Sequence, residues 1–213
     1  LGNGSQLGIK ITFLEQSKPK GLPDAFIVGE KFIGKNDVAL ILGDNFFYGQ
    51  GFTNRLKAAL HKNIGATIFT YIVNNPSEYG ILEIDKKNKI KKIVEKPSSP
   101  KSNLAITGLY FFNYKAVEFA KTLKPSKRNE LEIVDLLNIY LNNKSLKAEF
   151  MGRGSAWLDT GSAKNLFNAS QFIAAIEERQ GLKISCIEEI SYQNKWISKK
   201  QILKRIRLYG KCD

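Results

Sequence analysis

The sequence predicts an α/β fold with a mixed, mostly parallel central sheet flanked by helices. One sign is the run Val38-Ala39-Leu40-Ile41-Leu42, which stops at Gly43-Asp44-Asn45. Continuous apolarity over so few residues marks a strand buried on both faces. A second is the succession strand, helix, strand, helix, strand along the first third of the chain, the signature of right-handed crossovers. The third is composition. A chain of 213 residues with 43% hydrophobic and 25% charged residues has ample apolar surface to bury, which excludes general disorder.

Residues 9–15 alternate and are β-rich, which predicts the first strand. Gly21-Leu22-Pro23-Asp24 opens a helix running to Ile33-Gly34, because Pro23 suits the first turn and Asp24 the positive helix end. Residues 37–42 are the buried strand already described. Residues 52–63 read as helix and 65–73 as another buried strand. Residues 79–83 and 89–95 are short strands around the turn Asp85-Lys86-Lys87-Asn88, and 105–112 is a third, so an antiparallel insert is expected here. Residues 114–123 and 130–142 are helices split at Pro125, 146–151 is a strand, and 162–178 is a long helix with Leu166, Ala169, Phe172, Ile173 and Ile176 on one side. Residues 198–208 form a basic amphipathic helix. Residues 1–185 are read as the main domain and 186–213 as a helical appendage.

The formal charge of +13 comes from 33 basic and 20 acidic residues. Of the basic residues 27 are Lys and 6 are Arg, spread along the chain, so a specific nucleic-acid partner is not expected. No apolar stretch reaches membrane-spanning length, so no membrane partner is expected either. Cys186 and Cys212 form no framework, and with a single His61 zinc is not expected. The chain opens Leu1-Gly2-Asn3-Gly4, with no initiator Met and no signal peptide. We therefore expect a cytoplasmic protein whose recorded chain starts part-way through.

Ligands of open α/β sheets gather at the carboxyl ends of strands. Asp44 falls there, as a carboxylate for a metal ion and its phosphates or as ordinary turn composition. Asp159 lies within Gly152-Arg153-Gly154-Ser155-Ala156-Trp157-Leu158-Asp159-Thr160-Gly161. It is a second metal-ligand candidate; alternatively Asp159 or Thr160 simply starts the following helix. Glu95-Lys96-Pro97 could meet sugar hydroxyls and phosphate, although nearby Lys91 and Lys92 favour a solvated edge. Gly2-Asn3-Gly4-Ser5-Gln6-Leu7-Gly8 fails as a phosphate loop, since a strand follows it where a helix is needed. His61 reads as a surface residue, and no nucleophile motif is present.

In order, Leu42-Gly43-Asp44-Asn45, Tyr79-Gly80, Glu95-Lys96-Pro97, Thr107-Gly108-Leu109-Tyr110, Leu131-Glu132-Ile133, Gly152-Arg153-Gly154 and Ala156-Trp157-Leu158-Asp159-Thr160-Gly161 closely resemble the sugar-nucleotide pyrophosphorylases, a nucleotidyltransferase family. The nearest match is to the glucose-1-phosphate thymidylyltransferases, over residues 1 to about 197. The resemblance implies a Rossmann-like sheet of the nucleotide-diphospho-sugar transferase type. It implies transfer of a thymidylyl group from dTTP to glucose 1-phosphate, giving dTDP-glucose for dTDP-rhamnose and polysaccharide precursors. By the same resemblance Asp44 and Asp159 hold Mg²⁺ and Lys96 contacts the sugar phosphate. Gln16 and Gly21 meet the thymine end. Asn45, Gly80, Glu95 and Ile106 line the glucose pocket, with Leu22 and Trp157 beside them. A homotetramer is implied, although the short basic ending Lys204-Arg205-Ile206-Arg207 to Asp213 departs from the family tail. The family's first strand, Gly-rich loop and an early Lys would precede Leu1, so the chain alone is expected to be inactive. The alternatives are a non-catalytic remnant that binds sugar nucleotides or pairs with a full-length paralogue, and a pyrophosphorylase using another nucleotide or sugar.

Overall fold

The computed structural model describes residues 1–209. The chain divides into two compact units, one formed by Glu15–Leu166 and one by Leu1–Leu14 with Phe167–Asp213. The sequence reading placed a boundary at 185/186 instead.

The larger unit is a curled mixed α/β sheet. Its elements are α1 (Asp24–Val28), α2 (Glu30–Ile33), β1 (Val38–Ile41), β2 (Asn45–Gly49), α3 (Phe52–His61), β3 (Ala66–Ile72), β4 (Gly80–Ile84), β5 (Ile90–Glu95), β6 (Leu104–Phe112), α4 (Lys115–Thr122), α5 (Ile133–Asn142), β7 (Leu146–Phe150) and β8 (Ser155–Asp159). The expected helix after Pro23 forms but is interrupted at Gly29, which ends α1 and begins α2.

The sheet runs β5-β4-β6-β3-β7, with β1 also paired to β6. β1 and β3 are each antiparallel to β6, in the registers Leu40↔Tyr110 and Ile68↔Tyr110. They therefore point the same way, and β7 is parallel to β3. The expected parallel direction holds for β1, β3 and β7. The sheet is nevertheless not mostly parallel in its pairings, because β6 comes out of the antiparallel insert and wedges between β1 and β3 (and the β4–β5 hairpin is antiparallel too).

β6 alternates between two cores, as a strand buried on both faces must. Ile106, Tyr110 and Phe112 face a cluster with Phe26, Ile68, Leu136, Leu137 and Tyr140. Ala105, Leu109 and Phe111 face a cluster with Ala59, Phe69, Met151 and Trp157.

Two expectations are corrected. β1 is not buried on both faces: Val38 and Leu40 pack on the first cluster, but Ala39 is exposed and Ile41 is 57% exposed. Its only ladder among the described residues is the one with β6, so it lies at a margin of the sheet. Residues 9–15 form no strand either. Alternation alone does not suffice without a partner ladder, and Ile11 N–H bonds instead to the Asn3 carbonyl at 2.8 Å.

The smaller unit holds most of α6 (Ala163–Gln180), then α7 (Ile187–Gln193), which the sequence reading missed, and α8 (Lys199–Tyr209), the expected basic helix. Arg205 of α8 reaches Glu188 of α7 at 3.1 Å, and Tyr209 Oη donates to the same carboxylate at 2.6 Å. Cys186 is a free thiol, while Cys212 lies outside the described residues. Among the described residues no helix is long and apolar enough to cross a membrane.

Candidate functional site

The site is organised by a two-stranded ribbon that the sequence reading did not foresee. β2 pairs antiparallel with β8, in the register Asn45↔Asp159, Phe47↔Trp157 and Gly49↔Ser155. Aromatic and β-branched pairs suit such a ladder, and here Phe46, Phe47 and Tyr48 oppose Leu158, Trp157 and Ala156.

The pairing carries Asp44, just before β2, to Asp159, the last residue of β8. The Thr160 N–H and its Oγ1 both donate to the Asp44 carbonyl, each at 2.8 Å. The Gly161 N–H donates to Asp159 Oδ1 at 2.8 Å, and Asn45 Nδ2 donates to Asp44 Oδ1 at 2.7 Å. A Cβ built on Gly161 would lie 3.0 Å from Asp159 Oδ1 and 3.3 Å from Asp44 Oδ2. Both carboxylates thus border the space above the Gly161 Cα, which only a residue without a side chain leaves open. This cradle fits a hard divalent cation. Magnesium characteristically takes one or two protein carboxylates and fills its other positions with water and phosphate oxygens.

Asp159 does not cap a helix. α6 starts at Ala163, and Ser162 Oγ takes the cap role by accepting from the Asn165 N–H at 3.2 Å. Asp44 does sit in a turn, closed by Asn45 N–H to the Leu42 carbonyl at 3.1 Å, so at this position turn and carboxylate coexist.

Asn45 ties the ribbon to the sheet. Its Oδ1 accepts from the Gly108 N–H of β6 at 3.0 Å and from Trp157 Nε1 at 2.6 Å. Trp157, 9% exposed, meets Tyr71 and Tyr79 edge-on at 6.1 and 5.2 Å between ring centroids. These rings, with Ile72, Val73, Asn74 and Asp159, line an open cleft of about 300 Å³. That volume is at the small end of ligand sites. The Tyr79 phenol is pushed up from its ordinary pKa by burial and by the Asp159 and Glu78 charges.

A second group forms next to Tyr79. A Cβ on Gly80 would meet Glu95 Oε2 at 3.3 Å, Val134 Cγ2 at 3.3 Å and Ile106 Cδ1 at 3.9 Å. Gly80, Glu95 and Ile106 therefore share one wall, and Val134 joins them. Glu95 is no simple solvated edge, its side chain being 28% exposed with Arg128 3.6 Å away. Burial, then the Glu132 charge, raises the Glu95 carboxyl above the ordinary glutamate range, against the pull of Lys96 and Arg128. Burial acts upward on Glu132 too, but hydrogen bonds from Arg128 and Ser126 hold it below that range. Lys96 is exposed and takes a left-handed backbone, φ 40°, which places its N–H on the Tyr79 carbonyl at 3.1 Å.

Gln16, Gly21 and Leu22 form a third group. Gln16 Nε2 donates to the buried Asp24 carboxylate at 2.7 Å and to the Gly21 carbonyl at 3.4 Å. Gly21 has φ 95°, and a Cβ there would lie 2.1 Å from the Leu131 carbonyl oxygen. The fold itself therefore requires glycine at this position. Leu22 is half-buried, and His61 is exposed at the end of α3, as expected.

Sequence reasoning took Thr160 only as a possible start of the next helix and did not single out Gly161, Val134 or Arg128. Thr160 and Gly161 were visible inside the Trp-Leu-Asp-Thr-Gly string, but nothing in their identity announces a bond to residue 44.

A mixed α/β sheet with paired carboxylates at a strand end, beside an aromatic cleft and a polar wall, is the framework of a ligand-binding site. Comparison with known proteins makes this specific. Residues 1–176 match the family described as nucleotidyl transferase, and the chain belongs to it. It is 50% identical over 207 residues to the glucose-1-phosphate thymidylyltransferase of Neisseria gonorrhoeae, covering 97% of this chain and 72% of that one. It is 44% identical over 207 residues to the enzyme of that name from Mycobacterium tuberculosis (strain ATCC 25618 / H37Rv), covering 97% and 72%. Among solved structures, one described as a Bacillus anthracis glucose-1-phosphate thymidylyltransferase, in complex with a sucrose, superposes with a TM-score of 0.71 at 34% identity, covering 80% of this chain and 68% of that one. UDP-glucose pyrophosphorylase complexed with UDP-glucose gives 0.69 at 26% identity, covering 77% and 66%.

Proposed function

We propose that the protein transfers a thymidylyl group from dTTP to glucose 1-phosphate, giving dTDP-glucose and pyrophosphate. The observation that carries this reading is the identity of 44–50% to relatives named for that activity, which spans nearly the whole chain. The sugar-wall and carboxylate groups described above support it.

A phosphate oxygen of glucose 1-phosphate attacks the α-phosphorus of dTTP. The bond from that phosphorus to the bridging oxygen breaks, and pyrophosphate departs. No covalent enzyme intermediate is required, so the chain acts by positioning and by neutralising charge. In this reading Asp44 and Asp159 hold Mg²⁺, which when bound neutralises the transferring phosphates. Lys96 supplies a point charge to the sugar phosphate. Glu95 accepts from glucose hydroxyls, while Gly80 leaves room for the ring beside Ile106 and Asn45. Gln16, Gly21 and Leu22 serve the thymine end, with Trp157 packing beside the sugar. A cytoplasmic homo-oligomer feeding dTDP-rhamnose synthesis belongs to the same reading.

The test is pyrophosphate release from dTTP by the 213-residue chain, with and without glucose 1-phosphate, alongside calorimetric binding of dTDP-glucose. Sugar-dependent release establishes the activity. Binding of dTDP-glucose without release restricts this chain to a binding role, and the absence of both release and binding overturns the proposal.

A further inference from the structure

The Asp44 carbonyl accepts two hydrogen bonds from one residue. The Thr160 N–H reaches it at 2.8 Å and the Thr160 hydroxyl reaches it at 2.8 Å. The N–H bond extends the β2–β8 pairing by one step beyond Asn45↔Asp159. The hydroxyl bond adds nothing to that pairing. It gives the same oxygen a second donor from a different direction, and so restrains rotation of the peptide plane between residues 44 and 45. That plane sets where the Asp44 side chain leaves the backbone.

The neighbouring bonds act to the same end. Gly161 N–H fixes one oxygen of Asp159, and Asn45 Nδ2 fixes one oxygen of Asp44. The Asp159 oxygen bordering the Gly161 cradle is thus held by the Gly161 N–H, and the Asp44 carboxylate is held through its other oxygen by Asn45. Asp44 is exposed, and without these restraints its side chain would sample several rotamers.

We propose that Thr160 is a positioning residue for the carboxylate pair: its hydroxyl, by clamping the Asp44 carbonyl, sets the separation of Asp44 and Asp159 and hence the affinity for a divalent cation. This rests on the proposal that the pair holds Mg²⁺, and the experiment separates the two. Losing one uncharged hydrogen bond corresponds to about a fivefold change in an equilibrium constant, so an effect of that order is expected.

Mn²⁺ alone, read by its electron paramagnetic resonance signal, is titrated into the 213-residue chain and into the Thr160→Val, Thr160→Ala, Thr160→Ser and Asp159→Asn variants. Thermal melts are recorded alongside. The expected result is Mn²⁺ binding that Asp159→Asn abolishes. Thr160→Val and Thr160→Ala should both weaken it about fivefold, and Thr160→Ser, which keeps the hydroxyl, should leave it within about twofold of the parent. Melting temperatures of the Val and Ser variants should agree, separating site geometry from general stability. Equal Mn²⁺ affinity in the Val, Ala and Ser variants overturns the role of Thr160 while leaving the metal pair intact. A loss in the Val variant that the Ala variant does not share overturns it too, because bulk and not the hydroxyl is then responsible. Absence of Mn²⁺ binding in the parent, or binding that Asp159→Asn does not alter, overturns the metal reading and the clamp with it.

Discussion

The indole Nε1–H of Trp157 donates to the side-chain oxygen of Asn45 at 2.6 Å, joining residues 112 apart in sequence. The same oxygen accepts from Gly108 N–H, so one amide group fixes the ribbon, the central strand and the aromatic cleft together. Replacing Trp157 by Phe keeps an aromatic ring but deletes the donor and one of the two fused rings of the indole. We expect about 1 kcal/mol lower stability in urea unfolding and weakened dTDP-glucose binding by calorimetry. Full retention of both would detach Asn45 from this role.

Gly161→Ala adds a methyl where the two carboxylates meet. Gly161 is not among the positive-φ glycines, so the backbone tolerates alanine, but the methyl would sit 3.0 Å from Asp159 Oδ1. We expect metal-dependent turnover to fall at least about tenfold, as for loss of a metal contact, with a melting temperature near that of the parent. A variant as active as the parent across a Mg²⁺ titration would remove the cradle from the reaction.

Gly21→Ala should act on the fold. The added Cβ would lie 2.1 Å from the Leu131 oxygen at a φ of 95°. A cost of about 1–3 kcal/mol follows from the strained backbone alone, and the clash adds to it. Urea unfolding measures this, and an unchanged midpoint would contradict the packing of residue 21 on Leu131.

Glu95 carries a pH signature. Burial, then the Glu132 charge, raises its carboxyl pKa in the folded chain. Between the ordinary and the raised value the folded state holds a proton that the unfolded chain has released, so stability falls as pH rises through that window. Glu95→Gln removes the titration. Its melting temperature relative to the parent should therefore climb from about pH 4 upward and level off above the raised value. A difference independent of pH would show that the carboxyl is not perturbed by folding. Through the proposed sugar contact the same variant should also raise the KM for glucose 1-phosphate.

Most helices and strands of the larger unit were legible because each is announced locally. The apolar run 38–42, Pro23 at a helix start and the turn 85–88 are all short-range signals. What was not legible depends on pairing. β2 is an aromatic stretch, Phe46-Phe47-Tyr48, that follows a Gly-Asp-Asn turn, and β8 sits among glycines; neither reads as a strand until it meets the other. Residues 9–15 show the converse, a strand-like pattern without a partner. The site behaved likewise. Asp44 and Asp159 were visible as residue types at suggestive places, and Gly80, Glu95 and Ile106 by resemblance. The bonds from Thr160 to Asp44 and the approach of Val134 to Gly80 exist only in three dimensions.

The wedging of β6 between β1 and β3 also orders events during synthesis. On the ribosome β1 emerges first, and its ladder residues 109–112 follow some seventy positions later. Until they appear, neither β1 nor β3 can form its antiparallel ladder with β6, and the interval is one of exposed Val, Leu, Ile and Phe. Closure of such distant segments is entropically slow. The nascent chain is thus most vulnerable to aggregation and to holding chaperones before Phe112 leaves the exit tunnel, and a pause just downstream of that codon, with β6 still inside the tunnel, would lengthen the exposure.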